Sequence, residues 1–263
     1  MRLHRIETRV FEEGLPFSSG AAARWMEHYT QDITGLYGLA PRPGHLLKRR
    51  NSYADMAAAM LEIMAPVPAA MEVVAMATTV PDADLQQAPI SMLADALLSD
   101  PLPLGASEQG PIAPFTALEL IQLYDTENAL LMVLDQRSLP YDVTGPEEIV
   151  PLQDCAVALL FTEDGGCADD FAIRHWVDVP PVKVADLLAG ERDGGATLIA
   201  GAGLAKTLPS GFPDMRVAPL GLPCTGAWTE LAVALPGLRG RSVTVADYDH
   251  ALRHLSTCTL HID

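Results

Sequence analysis

Basic residues are scarce in this chain. Its 263 residues hold 17 Lys plus Arg against 34 Asp plus Glu, a formal net charge of −17 with the seven His neutral. So large an excess of acid repels phosphate backbones and anionic lipid, which argues against nucleic acid or a membrane surface as a partner. Cysteine is scarce as well. Cys155, Cys167, Cys224 and Cys258 are too few and too irregularly spaced for a disulfide scaffold or a paired CxxC metal site, so reduced thiols are expected. Long apolar runs are missing: Ala129 to Leu134 and Ala156 to Phe161 fall well short of the roughly 20 residues that a membrane-spanning helix needs. Met1 to Glu13 mixes Arg, His and Glu without an apolar segment, unlike a secretory signal, and a cytoplasmic location is expected. There is no short-period repeat, heptad run or low-complexity tract. GxSxG, HExxH and DxDxDG patterns do not occur, and Gly201 and Gly203 stand without the wider context of a phosphate-binding loop. No cofactor and no metal are expected.

What is present is largely apolar. At 49% hydrophobic and 19% charged, the chain can bury a substantial core, as one large domain or two small ones. From about residue 50 it alternates helical patterns with short apolar β-type runs, the signal for a layered α/β protein. Ser52 with Asp55 three residues later resembles a capping box, opening a helix over Ala54 to Ala65. Pro66 and Pro68 interrupt it, and Met71 to Thr79 reads as a buried strand ending at Pro81. A short helix is expected near Ile90 to Leu98, then a Pro- and Gly-rich loop from Asp100 to Pro114. Phe115 to Tyr124 has the spacing of a helix packed on a sheet, and Ala129 to Asp135 reads as a central strand. After the polar stretch Ser138 to Pro151, strands are expected at Cys155 to Thr162, Thr197 to Ala200, Met215 to Pro219 and Ser242 to Asp247. Helices are expected at Val184 to Ala189 and Gly226 to Leu235. The pattern divides into two similar halves, residues 1–145 and 146–263, forming one compact unit. The first fifty residues are hard to assign.

The order of these segments resembles the thiolase-fold ketosynthases, particularly the stand-alone β-ketoacyl synthases that prime fatty-acid and polyketide assembly. Met71 to Asp82 (MEVVAMATTVPD) is similar to that family's first core strand and TTTPD-type loop, and Gln87 to Leu97 (QAPISMLADAL) to the helix after it. Gly110 to Leu118 (GPIAPFTAL) stands where the family has its nucleophile elbow, which reads like GCAGFLYAL. Ala129 to Asp135 resembles the following strand, and Asp154 to Phe161 (DCAVALLF) the DGAAALLL strand that would open the second half. Leu198 to Gly203, Arg216 to Leu235 and Val243 to Leu252 fall where the family's histidine strand, asparagine loop and final glycine-rich turn come. The resemblance covers roughly residues 50 to 255 and implies an α/β, thiolase-like layered αβαβα fold made of two similar halves.

The departures from the family are chemical. Its members use a Cys at a helix N-terminus, where the dipole lowers the thiol pKa, to take an acyl chain from a carrier thioester; His and Asn then stabilise the enolate formed by decarboxylation. In this chain the Cys position reads Pro111, the histidine strand reads LIAGAG and the asparagine loop reads GLPCTG. No Cys precedes Cys155, so moving the alignment by a residue or two restores no nucleophile. The resemblance therefore implies a ketosynthase-like protein without the Cys-His-Asn set. Its expected role is a non-catalytic partner subunit of an active ketosynthase, as a heterodimer or paired with itself, in polyketide, lipid or other specialised biosynthesis. Two alternatives stand beside it: a thiolase-fold enzyme rewired to acyl transfer, cyclisation or hydrolysis, and a module that binds a carrier-bound acyl intermediate without reacting with it.

Several residues are candidates for what remains of a site. Cys224, in the loop resembling the asparagine loop, is either a relocated nucleophile or a buried inert thiol. Glu108 and Gln109, just before Pro111, would supply a base and an amide donor if they point into the same cleft, and otherwise are ordinary loop residues. Pro111 itself suits the first turn of a helix. His250 and His254 would share a helical face near Asp247 and Asp249, but they make no complete coordination sphere. Nothing ties His175 and Trp176 to a site. Arg42, Lys48, Arg49 and Arg50 form a basic patch in an acidic protein, either a docking surface for an acidic acyl carrier protein, as the resemblance suggests, or a solvated loop.

Overall fold

The structure, a computed structural model, describes residues 1–12, 14–16, 21–42, 45, 49–139, 141–142, 147–191 and 195–263. The N-terminal region contains strand β1 (Arg2–Phe11), the short β2 (Leu15–Pro16), helix α1 (Ala21–Leu36) and β3 (Arg49–Arg50), which pairs with β2. Helix α2 (Tyr53–Met64) begins where the capping pattern places it: Ser52 Oγ accepts from the Asp55 N–H at 3.0 Å and donates to Asp55 Oδ2 at 2.7 Å. Its Met56, Met60 and Met64 recur at helical spacing and are buried against the next strands.

Strand β4 (Val73–Thr78), helix α3 (Pro89–Asp95), strand β5 (Leu102–Ser107), helix α4 (Ala113–Leu123) and strand β6 (Ala129–Asp135) follow. The loop expected from Asp100 to Pro114 therefore contains a strand and, at Gly110–Ile112, a short 3-10 turn leading into α4. Its proline and glycine masked β5, which is an edge strand and tolerates both. Then come β7 (Asp154–Thr162), β8 (Ala168–Asp170), β9 (Ala172–Trp176), α5 (Pro181–Glu191), β10 (Thr197–Ala200), α6 (Ala202–Thr207), β11 (Met215–Val217), α7 (Gly226–Ala234), β12 (Ser242–Asp249) and β13 (His254–His261).

Two mixed sheets result, one ordered β5-β4-β6-β7-β1-β8 and the other β11-β10-β12-β13-β9. In each, a central strand runs parallel to one neighbour and antiparallel to the other: β6 between β4 and β7, β12 between β10 and β13. Strand β7, expected to open the second half, pairs with β6 and β1 and so lies in the first sheet, which β8 joins at its far edge. Strand adjacency is decided by long-range pairing with the N-terminal β1, which local pattern does not reveal.

Alternation along the strands sets the layers. Val73, Ala75 and Ala77 of β4 and Leu131 and Val133 of β6 face a central core shared with Phe115 of α4, Trp228 of α7, and Val243 and Val245 of the second sheet. Val74, Met76, Leu130, Met132 and Leu134 face outward onto α2 and α3. On the far side, Leu198, Ala200 and Ala246 pack under α5 and α6. Helices α4 and α7 thus lie between the sheets, giving the five αβαβα layers. Both faces of β4 and β6 are covered, which is why these strands read as unbroken apolar runs.

Candidate functional site

The site lies where the ends of β6 and β12 meet the starts of α4 and α7. Strand β6 is apolar up to its last residue, Asp135, which is fully buried. Its carboxylate accepts the Thr79 hydroxyl at 2.9 Å, the Cys224 N–H at 3.0 Å, and the Thr225 N–H and hydroxyl at 2.8 and 2.7 Å. It therefore satisfies the amides opening α7, as a carboxylate at a helix N-terminus should. Burial raises its pKa to about 6 and these hydrogen bonds oppose the rise.

The second half has a matching acid. Asp247 of β12 is 4% exposed, and its Oδ1 accepts the Tyr248 N–H at 2.8 Å and the Leu204 N–H at 3.3 Å. With fewer donors, and with Asp249 nearby, burial lifts its pKa to about 8. A Cβ on Gly201 would lie 1.7 Å from Asp247 Oδ2, so the carboxyl group fills the space that a side chain at 201 would take. Gly201 belongs to the stretch resembling the family's histidine strand. Glycine there is a steric requirement of the acid.

Asp249 holds the other side. Its Oδ1 accepts the Ala251 and Leu252 N–H groups, both at 2.8 Å, and its Oδ2 would lie 2.6 Å from a Cβ on Gly110. Gly110 has φ +55°, a left-handed conformation suited to glycine, and it leads into buried Pro111. Proline fits this 3-10 turn before α4 and supplies neither thiol nor N–H. The stretches resembling the three family motifs are thus gathered around acids.

Cys224 is part of this cluster and is 2% exposed. Burial first, then the charge of Asp135, pushes its thiol well above the ordinary range, and Asp247 adds to the effect. No cation is among the groups acting on it, so the thiol form dominates at neutral pH and the nucleophilic form is disfavoured. Tyr53, which no sequence motif marks, is buried beside Asp135 and Cys224; its hydroxyl donates to the Val80 carbonyl at 2.9 Å, and burial raises its pKa well above 10.

The other candidates lie elsewhere. Glu108 is exposed in a left-handed conformation, and its charge acts on Tyr141. Gln109 Oε1 accepts the Thr116 hydroxyl at 2.6 Å, so this amide is engaged with α4. His250 sits in the β12–β13 turn with Nε2 3.1 Å from the Gly203 carbonyl, whereas His254 begins β13, so the pair shares no helical face. His175 Nδ1 lies 2.7 Å from Ser256 Oγ across the β9–β13 pair. Among the described residues no group of three His, Cys, Asp or Glu side chains could hold a metal, and no helix is long and apolar enough to cross a membrane. Of the basic patch, Lys48 is outside the described residues. Arg50 is buried, which removes it from any docking surface: the β2–β3 pair folds it inward, near Asp82 and Asp84.

The signal that would have found Asp135 and Asp247 is an acid at or near the end of an otherwise buried strand, since a carboxylate in such a place must be hydrogen-bonded or protonated.

No family model and no curated protein sequence matches the chain. Solved structures do. An acyltransferase, ChlB3, superposes with a TM-score of 0.62 at 17% identity, over 99% of this chain and 97% of that one. A tetronic acid condensing enzyme, AbyA1, gives 0.62 at 13% identity over 99% of both chains. A 3-oxoacyl-[acyl-carrier-protein] synthase III from Aquifex aeolicus VF5 gives 0.62 at 11% identity, again over 99% of both. Together with the two sheets and the αβαβα layering, these similarities show that the chain has the thiolase-like fold of the synthase III-type condensing enzymes.

Proposed function

We propose that the chain is a non-catalytic ketosynthase-like subunit that pairs with an active ketosynthase, in the cytoplasm, within a polyketide, lipid or other specialised biosynthetic route. The observation that carries this reading is the replacement at the start of α4: buried Pro111 stands where the fold's condensing enzymes are expected to place their thiol. The nearby Cys224 offers no substitute, being buried and held as a thiol.

A second feature supports pairing. Among the described residues, strand β5 is at the edge of its sheet and hydrogen-bonds β4 on one side only. The Leu102 N–H points inward to the Glu72 carbonyl at 2.8 Å, so by alternation the Gly105 and Ser107 backbone groups face outward. An exposed edge with free donors and acceptors is a template for strand addition, and Pro103, also facing outward, lacks a donor and limits the register.

The test is purification of the tagged full chain from its native cells followed by intact-mass analysis. The expected result is a complex with a second thiolase-fold chain that becomes acylated on its own Cys, while this chain keeps its unmodified mass. An acyl adduct on this polypeptide would overturn the reading in favour of rewired acyl-transfer chemistry, and Cys224→Ala would then show whether that thiol carries the acyl group.

A further inference from the structure

A cavity of about 240 Å3 lies beside α1, and none of Asp135, Cys224 or Asp247 lines it. Four arginines do, Arg42, Arg49, Arg50 and Arg137, together with His45 and Asp82. In a chain with 17 basic residues and a net charge of −17, four of them around one small cavity is a local reversal of the protein's field.

Acids neighbour these arginines, but among the residues lining the cavity Asp82 is the one acid against four arginines. Asp82 is held in place by the N–H groups of Tyr53 and Asp84, both at 3.1 Å, and by Gln136 Nε2 at 3.2 Å, and burial pushes its pKa up. Asp142 pairs with Arg42, and Asp154 Oδ2 lies 3.8 Å from Arg137 Nε; neither acid lines the cavity. Arg49 Nε donates to a neutral acceptor, the Gly14 carbonyl, at 2.7 Å.

The second observation is at His45. Its Nδ1 is 2.9 Å from the Arg42 carbonyl, which can only accept, so Nδ1 carries a proton. Its Nε2 is buried and has no hydrogen-bond partner among the described residues. A buried polar atom without a partner is costly, and an oxygen of a bound ligand that shares a proton with Nε2 would satisfy it. Guanidinium groups are the side chains best shaped to grip such oxygens in pairs.

We propose that this cavity binds a small dianion, a phosphate- or carboxylate-bearing molecule, through His45 Nε2 and the guanidinium groups of Arg42, Arg49 and Arg137. The proposal does not depend on the partner-subunit reading. It is tested on the full chain by isothermal titration with pyrophosphate and with malonate at fixed ionic strength. The expected result is saturable binding of at least one probe with a Kd below about 1 mM, weakened about tenfold or more in Arg49→Gln and in His45→Leu. Lys206→Gln, which removes a cation outside the cavity, should leave binding unchanged. Tighter binding of pyrophosphate would identify a phosphate ester or diphosphate as the ligand class, and tighter binding of malonate a carboxylate. Absence of saturable binding for both probes overturns the proposal, as does wild-type affinity in variants that still melt cooperatively. Arg42→Gln, at a partly exposed ion pair, provides the decisive variant if either of the others fails to fold.

Discussion

The two sheets place an aspartate at the same point of their central strands, yet give it different charge. The residue before Asp135 pairs with Thr78, the last residue of β4, and the residue before Asp247 pairs with Ala200, the last of β10; on the antiparallel side Asp135 faces Cys155 and Asp247 faces Ser256. Thr79 therefore corresponds to Gly201. In the first half the Thr79 hydroxyl donates to the acid and the α7 amides donate as well, so a pKa near 6 leaves Asp135 ionised at pH 7. In the second half glycine contributes no donor, Asp249 adds like charge, and a pKa near 8 leaves Asp247 protonated at the same pH. Burial alone does not fix the charge of a carboxyl group; the donors aimed at it and the charges beside it decide.

Three experiments on this pair of acids follow, ordered by expected effect. Asp135→Ala should cost about 3 kcal/mol, because the buried Cys224 and Thr225 N–H groups both lose their acceptor. Urea unfolding at pH 7 measures it, and a loss below about 1 kcal/mol would mean that another acceptor had replaced the carboxylate.

Asp247→Asn should do the opposite and stabilise the protein at high pH. Both acids have folded pKa values above the ordinary 3.8, so the folded chain holds protons that the unfolded chain releases. Their contribution to stability therefore falls as pH rises: from near 3.8 to near 6 through Asp135, and from near 3.8 to near 8 through Asp247. Asparagine retains an oxygen for the Leu204 and Tyr248 N–H groups and has no proton to lose. The gain should be at least about 2 kcal/mol at pH 8, within the limit of about 5 kcal/mol that a shift from 3.8 to about 8 sets, and vanish toward pH 4. An unchanged stability slope between pH 6 and 8 in the variant would show that Asp247 is not the group titrating there.

The smallest effect concerns the glycine. Gly201→Ala should cost about 1 kcal/mol, since its methyl group displaces the Asp247 carboxyl, and much of that cost should disappear when Asp247→Gly is also present. Additive effects of the two substitutions would separate the glycine from the acid.

Much of the fold is legible in the sequence because local rules decide it. The Ser52–Asp55 cap starts α2, the unbroken ALLMVLD run is β6 residue for residue, and TLIA is β10. The order of segments resembles the thiolase fold, and the structure has that fold. Other elements were hidden: β5 by its proline and glycine, and β1 and α1 because nothing local in the first fifty residues repeats clearly. Of the candidate site, the sequence singled out Cys224 but not Asp135, which is 89 residues away and accepts its N–H. The Arg50 side chain looked like part of an exposed basic run and is buried, because β3 is fixed by pairing with β2 rather than by its own composition.

By itself, the amino-acid sequence determined the alternation of helices and buried strands, the acidic surface charge, and the absence of a thiol before residue 155. These follow from periodicity, capping and residue identity, which are properties of neighbours along the chain. Tertiary structure alone decided that β7 belongs with β1, that Asp247 occupies the space beside Gly201, that Cys224 is a buried thiol, and that four arginines and His45 surround one cavity. Each of these depends on burial and on contacts between residues far apart in the chain, and burial is what turns an ordinary aspartate or cysteine into one whose proton is held.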